Sequence, residues 1–476
     1  LESDTATYFL TVNTGPNKRN IEAANNVAGN TLSPEPYFLY NYHHEFQVQI
    51  NYGRAVYFGE YVYSATYDAG EFWASDDIRP GSPLEFTTES LYPKTGASSA
   101  DLKVSFAGNS YLGGNRTVKA DINGSSIISS VLPTMSAAVF ENNAVPISAL
   151  NTAATTLTFT NVSGDPNDRV VVGFFDLQYP RLFNFGGKAD FSFNMPATTQ
   201  GNYLEISNFN WGSVSPPVLY DLTNNKRYTA NTQTAGLLKF AVPASSFDRK
   251  LVLVSEDVQA VNNVVSITAK NFIDLRNTAN QGDYLIISNS RLFAGSNPVA
   301  QYAQYRSSTA GGGYVTKVYD IDELVDQFGF GIKNHPLSVK NFLKYARQHF
   351  TVSPKFAFLI GKAVTYNEYR MQQNSSYDDK LNLVPTFGWP ASDVLLASDD
   401  LSPVPATPIG RLAVISPEEI SVYLDKIKLY EQQQQSTVQT IDNKAWMKTM
   451  VHVVGANDAS LDFILSSHQN NYKRII

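Results

Sequence analysis

Carboxylates, histidines and one arginine are the side chains here whose types and spacing could do chemistry. Asp393, Asp399 and Asp400, with Asp378 and Asp379 upstream, gather on a stretch without regular pattern. Several hard oxygens on irregular backbone are what calcium takes up. The spacing lacks the regular ligand positions of a calcium-binding helix–loop–helix, so solvated turn acids are an equally good reading. His43-His44-Glu45 sits in a run of period-two alternation; without further ligands beside it, it reads as surface before metal. Arg411, in Ile409-Gly410-Arg411-Leu412, reads as an anchor paired with a carboxylate, with a substrate role as the alternative. Gly311-Gly312-Gly313 is a turn and not a phosphate loop, since no helix with Lys-Ser/Thr follows. No Gly-x-Ser-x-Gly elbow presents a serine. The 476 residues contain no cysteine, which removes disulfides, thiolate metal sites and a thiol nucleophile from this chain.

These groups must be held by elements of two kinds. Up to about residue 275 the pattern is almost pure β: Tyr8–Val12, Phe46–Ile50, Ala55–Phe58, Leu102–Phe106, Leu157–Phe159, Val170–Phe175 and Leu251–Val254 are short apolar or alternating runs. Turn residues punctuate them, as in Gly108-Asn109, Asn123-Gly124 and Gly164-Asp165-Pro166. That rhythm implies sandwich or jelly-roll modules. The length allows two, residues 1–180 and 181–275, with the seam at Tyr179-Pro180-Arg181.

From Gln281 onward, apolar runs alternate with helical periods. Tyr284–Ile287 reads as a buried parallel strand. Asn297 caps a helix with Pro298 at its first position and Val299, Tyr302 and Ala303 on one face. Tyr314–Tyr319 is a second strand, and Asp320 with Glu323 forms a capping box before Leu324 and Phe328. A helix after Pro336 carries Val339, Phe342, Leu343, Ala346 and Phe350 at helical spacing. Phe356–Ile360 is a third strand, residues 361–408 are irregular, and Ile409–Val414 restores order. Ser416, Pro417 and Glu419 make a strong helix start. Gln432–Gln435 reads as the beginning of a connector, and Met450–Val454 as the strand opening a further α/β unit. Such alternation implies a parallel sheet with right-handed crossovers.

Composition excludes other classes. Hydrophobic residues at 43% can build cores, while 27 Tyr and 28 Phe against 17% charged residues favour strands over long surface helices. A net charge of −7 gives nucleic acid no basic face. No stretch of about 20 apolar residues could span a membrane as a helix. A start at Leu1 without Met fits a removed export signal and a trimmed chain equally.

The later residues carry a family resemblance. Asp283–Ile287, Ala303-Gln304-Tyr305-Arg306 and Phe328-Gly329-Phe330-Gly331 begin it. Phe358-Leu359-Ile360-Gly361, Val384-Pro385-Thr386, Ala397-Ser398-Asp399-Asp400, Ile409–Leu412 and Lys426-Ile427 with Tyr430-Glu431 follow in order. Together they resemble the first half of the gingipain-like cysteine peptidase domain. The resemblance implies a multidomain chain: all-β modules, then a caspase-like α/β parallel-sheet domain with its first sub-unit at 281–435. A second sub-unit starts at 446–476 and is incomplete.

Within the family, the β-rich front, with Tyr57-Phe58-Gly59-Glu60-Tyr61 and Val218–Leu222, is most similar to the surface sortases of type IX secretion systems. That implies a cysteine peptidase/transpeptidase, exported to the extracellular side of the outer membrane. It would remove C-terminal signal domains from secreted cargo, attach the cargo to anionic lipopolysaccharide, and work beside an outer-membrane β-barrel shuttle protein. No cofactor is implied beyond structural calcium, for which Asp393, Asp399 and Asp400 are the candidates. The family's acid that orients the catalytic histidine falls at Asn457 or Asp458. A turn in which Asp458 caps the helix starting near Leu461 is the bland alternative. Lys362 stands where relatives usually carry an acid. The family's His-Gly and Cys are absent, so the expectation is a chain that continues past Ile476 and is inactive as it stands. A gingipain-like endopeptidase, or a surface binding protein with a vestigial peptidase domain, are the alternatives.

Overall fold

The computed structural model describes residues 7–12, 15, 19–52, 55–57, 61–63, 71–110, 115–212, 214–257, 259–261, 266–372, 375–388, 391–399, 402, 404–436, 438, 440–456 and 458–475. Asp400, Asn457 and Phe58–Glu60 therefore lie outside the described residues. The chain divides into two units, one of residues 8–54 and 68–270, the other built mainly of residues 271–476.

The first unit is all β. One antiparallel sheet runs Ser125–Leu132, Arg116–Ile122, Thr156–Val162, Leu84–Thr87; a second runs Ala137–Val145, Ala100–Gly108, Val170–Arg181, Phe38–Glu45. Alternation puts Leu102, Val104, Phe106, Val118, Ala120, Ile122, Phe159, Phe175 and Leu177 between them in one core. Asn123 and Gly124 take φ of +47° and +80° in the two-residue loop joining Arg116–Ile122 to Ser125–Leu132, the geometry a tight hairpin needs. A second core packs Phe191, Phe193, Leu204, Ile206, Leu219, Phe240 and Leu251. Its five-stranded sheet includes Asp190–Met195 and Arg249–Val254, and it is closed by a second sheet in which Asn202–Ser207 pairs antiparallel with Leu237–Val242.

Tyr179-Pro180-Arg181 ends a long strand, with Tyr179 in the first core and Phe183 in the second. Arg181 is buried between them. Its guanidinium donates to the Tyr179 hydroxyl (3.1 Å) and the Asn184 carbonyl (3.0 Å), and lies 4.8 Å from the Tyr40 ring centre and 5.1 Å from that of Phe191. Rings facing a desolvated cation stabilise it through their quadrupoles.

Tyr8–Val12 departs from expectation. It forms no strand, and Tyr8, Leu10 and Val12 are exposed. An alternating pattern supplies a face, but a strand also requires a neighbour to pair its backbone. Phe46–Ile50 is likewise broken: one strand ends at Glu45 and the next starts at Gln49.

The second unit holds a four-stranded parallel sheet of β1 (Tyr284–Ser288), β2 (Thr316–Asp320), β3 (Phe356–Ile360) and β4 (Ile409–Leu412), in the order β2-β1-β3-β4. Leu285, Ile286, Ile287, Leu359 and Ile360 are fully buried, as strands covered on both faces must be. One face packs on α2 (Ile321–Phe328) and α3 (Leu337–His349), the other on α1 (Pro298–Ser307) and α7 (Pro417–Ser436).

The expected starts are present. Asn297 accepts from Ala300 N (3.1 Å) ahead of Pro298, and Glu419 accepts from Ser416 N (3.1 Å). Asp320 accepts from Asp322 N (3.0 Å), whereas Glu323 accepts from Gln327 (3.1 Å) and from Ile273 N.

Three expectations need correction. Residues 361–408 contain the short helices α4 (Tyr366–Met371), α5 (Ser376–Leu381) and α6 (Val394–Ala397). Gln432–Gln435 continues α7 instead of leaving it. Met450–Val454 is not a strand: it is unpaired, with Val451 and Val453 more than 80% exposed. No described strand pairs with its backbone, and apolar alternation alone does not make a parallel strand.

Candidate functional site at the carboxyl edge of the parallel sheet

The order β2-β1-β3-β4 reverses direction between β1 and β3, and open α/β sheets place their sites outside the strand ends at such a point. Ser288, the last residue of β1, donates to the Ile360 carbonyl at the end of β3 (2.8 Å). Asn289 follows and donates to the Leu383 carbonyl (3.3 Å). Gly361 leaves β3 at φ +144°, where a Cβ would stand 3.0 Å from Leu383 Cβ and from Val384 Cγ2. Only glycine passes there without displacing the chain.

Arg411, on β4, organises this edge. Its Nε and Nη2 donate to the two carboxylate oxygens of Asp393 (2.7 Å each). Nη1 donates to the carbonyls of Gly361 (2.7 Å) and Val384 (2.8 Å), and Nη2 also to that of Pro385 (3.0 Å). A guanidinium has five N–H groups in a fixed fork, and all five are used. The anchoring role expected of Arg411 is therefore present. Asp393 also accepts from Thr386 Oγ1 (3.0 Å). The segment so tied is not a free lid: Tyr366, Val384, Phe387, Leu395 and Leu396 are core residues.

Among the described residues, the carboxylates named as calcium candidates do not converge. Asp393 faces Arg411, and Asp399 pairs with Arg347 of α3 (2.7 Å). Asp379 pairs with Lys333 (2.8 Å) and accepts from the Tyr369 hydroxyl (3.1 Å). Among the described residues no three acidic or histidine side chains come together. Burial raises the Tyr369 hydroxyl to about 12, with Asp379 adding to the rise against the bond from Asn334. Arg347 was not singled out in the sequence. Its partner lies 52 residues away, and only its position one turn after Leu343 hinted that it faces the buried side.

Asp458 accepts from Ser460 N (2.8 Å) and Leu461 N (2.9 Å), which makes it the cap of α8 (Ala459–Ile475). Lys362, in place of the usual acid, is exposed, and its backbone joins Val414 and Leu383. On the other flank, α1 and α7 are joined through Glu431, which accepts from Arg306 Nη1 (2.8 Å) and Tyr305 Oη (2.5 Å). These are residues of the quoted family segments, so part of that pattern is helix-to-helix cement. In the first unit, His43 lies between Asp176 (2.8 Å) and Glu45 (3.2 Å) on its strand, while His44 packs on Phe86.

The sequence profile of peptidase family C25 matches residues 277–476, the span that builds this edge.

A solved structure similar in fold is the dimeric latent PorU from Porphyromonas gingivalis. The two are 14% identical with a TM-score of 0.54 over 93% of this chain, and the chain spans 42% of that protein. At that identity the likeness is one of fold: an all-β front followed by a caspase-like α/β domain. Two carbohydrate-binding modules also align with 29% of the chain. One, from a xylanase of the Trinervitermes trinervoides hindgut metagenome, is 9% identical over 96% of its length (TM-score 0.19). The other, in complex with calcium and xylotriose, is 15% identical over 98% (TM-score 0.19). Scores this low carry no argument. No curated protein matches the chain.

Proposed function

We propose that the chain is the front of a surface sortase of the type IX secretion kind, a cysteine peptidase/transpeptidase of the C25 family. The observation that carries the reading is the order of parts, two β cores followed by a C25 region, shared with PorU along 93% of the chain. In this reading the fixed carboxyl edge around Arg411, Asp393 and Gly361 is the wall against which a second sub-unit sets its histidine and cysteine. A thiolate attacks the cargo carbonyl carbon, the signal domain leaves with its amine, and a nucleophilic group of the lipopolysaccharide opens the thioester and frees the thiol. The cargo signal domain, the anionic lipopolysaccharide and the β-barrel shuttle are the partners, and the outer-membrane surface is the site of action.

The test uses the native protein in its own cell. A thiol reagent and a Cys→Ala change at a cysteine outside these residues should each leave cargo with its signal domain uncleaved and unattached. If the native protein has no such cysteine, or cargo matures normally after the change, the chain is a binding module on a peptidase frame. If cleavage is lost but attachment to lipopolysaccharide was never present, it is an endopeptidase.

A further inference from the structure

The first unit carries a second concave surface, far in sequence from the C25 region and independent of how that region is read. On the outer face of the sheet Ala137–Val145, Ala100–Gly108, Val170–Arg181, Phe38–Glu45, the register aligns two rows across the strands. One is Glu141, Lys103, Asp176 and His43; the other includes Asp101, Gln178 and Asn41. All of these but His43 line a depression of about 300 Å³, together with Asn143. A second depression of about 560 Å³ adjoins it and shares Gln178; its wall includes Pro36, Tyr37, Leu39, Asn194 and Pro196.

Part of this surface is fixed and part is unspent. Asn41 donates to Asp176 (2.9 Å), and Lys103 pairs with Glu141 (3.3 Å). Among the described residues, none hydrogen-bonds to the side chains of Asp101, Asn143 or Gln178. The two depressions thus form one groove: planar amides and carboxylates at one end, and at the other a tyrosine ring, two prolines and a leucine beside Glu35 and Asp248.

We propose that this groove binds a neutral, hydroxyl-rich oligosaccharide. Sugar hydroxyls both donate and accept, and side-chain amides beside carboxylates present both functions in one plane. The C–H faces of a pyranose are apolar and suit the Tyr37 end. Four strands set roughly 14 Å of polar rows, the length of a short oligosaccharide. Three carboxylates against one lysine disfavour an anionic glycan. A peptide that adds as a strand needs a free sheet edge, whereas these rows cross strands whose interior backbone is already paired.

Titration calorimetry and affinity electrophoresis of the full chain would use maltohexaose, cellohexaose and mannohexaose as neutral probes. Hexagalacturonate and an acetylated hexapeptide are the contrasts. We expect at least one neutral probe to bind at millimolar concentration or better. Gln178→Ala and Asp101→Ala, both at partly or fully exposed positions without bonds to lose, should each weaken it roughly tenfold with the thermal midpoint unchanged. Binding of no neutral probe, tighter binding of hexagalacturonate, binding of the peptide alone, or neutral binding indifferent to both substitutions would each overturn the assignment.

Discussion

Arg411 and Asp393 meet through two parallel bonds of 2.7 Å, and the same guanidinium closes on three backbone carbonyls from the segment that leaves β3. One side chain therefore fixes the carboxyl end of the sheet to the chain that folds over it. Removing it leaves a partly buried carboxylate and three carbonyls without their donor. Arg411→Ala should cost about 3–5 kcal/mol, and Arg411→Lys should fail to restore most of it, since a point charge cannot reproduce the fork. Thermal unfolding of the C25 region measures this. A lysine variant as stable as the parent would show that charge alone matters.

Gly361 tests the neighbouring turn. With φ at +144° and Leu383 and Val384 at 3.0 Å from a Cβ, Gly361→Ala should destabilise by about 1–3 kcal/mol. Urea unfolding with an unchanged m-value would report it, and a neutral result would mean that the 383–384 backbone yields freely.

Asp458 has a role that capping alone accounts for. Asp458→Ala should fray the first turn of α8 and cost about 1 kcal/mol, while Asp458→Ser should keep most of the helix. Hydrogen exchange at Ser460 and Leu461 is the readout, because those amides lose their acceptor. Protection that survives the alanine change would remove the cap assignment.

The two histidines of Phe38–Glu45 should titrate on opposite sides of 6.5. Burial alone would lower His43, but its bonds to Asp176 and Glu45 outweigh it and raise the pKa; burial lowers His44, and the neighbouring His43 adds to the fall. The linkage signs then differ. His43 contributes stability that is full below 6.5 and fades as pH rises through its higher folded value. His44 is neutral when folded, so the fold loses stability as pH falls from 6.5 toward its lower folded value. Histidine-selective NMR should separate the two, and Asp176→Asn should bring His43 down while His44, lowered mainly by burial, stays below 6.5. A His43 titrating below 6.5 in the parent would contradict the geometry.

What the sequence made legible was local. Pro298 behind Asn297, and Glu419 three residues after Ser416, announce helix starts because each satisfies a backbone donor within one turn. The unbroken run Tyr284–Ile287 announces a strand covered on both faces. Arg411 as an anchor was legible by chemical type, but its partner among several aspartates was not, because fold contacts across 18 residues choose it. Met450–Val454 and Tyr8–Val12 carry the alternation of strands yet form none, and backbone pairing is a property of two segments. The helices of 361–408 are 4–6 residues long, too short to show a period. The outer-face groove was invisible because its rows are assembled from four strands spread between residues 41 and 178.

Arg181 has a mechanical consequence. Its charge is shielded by Tyr40 and Phe191, and Tyr40 packs against both β cores while Phe38, on the same strand, enters the second. Opening either core would expose that cation's cage and strip the other of rings it shares. The two β modules should therefore melt in a single cooperative transition, and a pull applied to one should be borne by both.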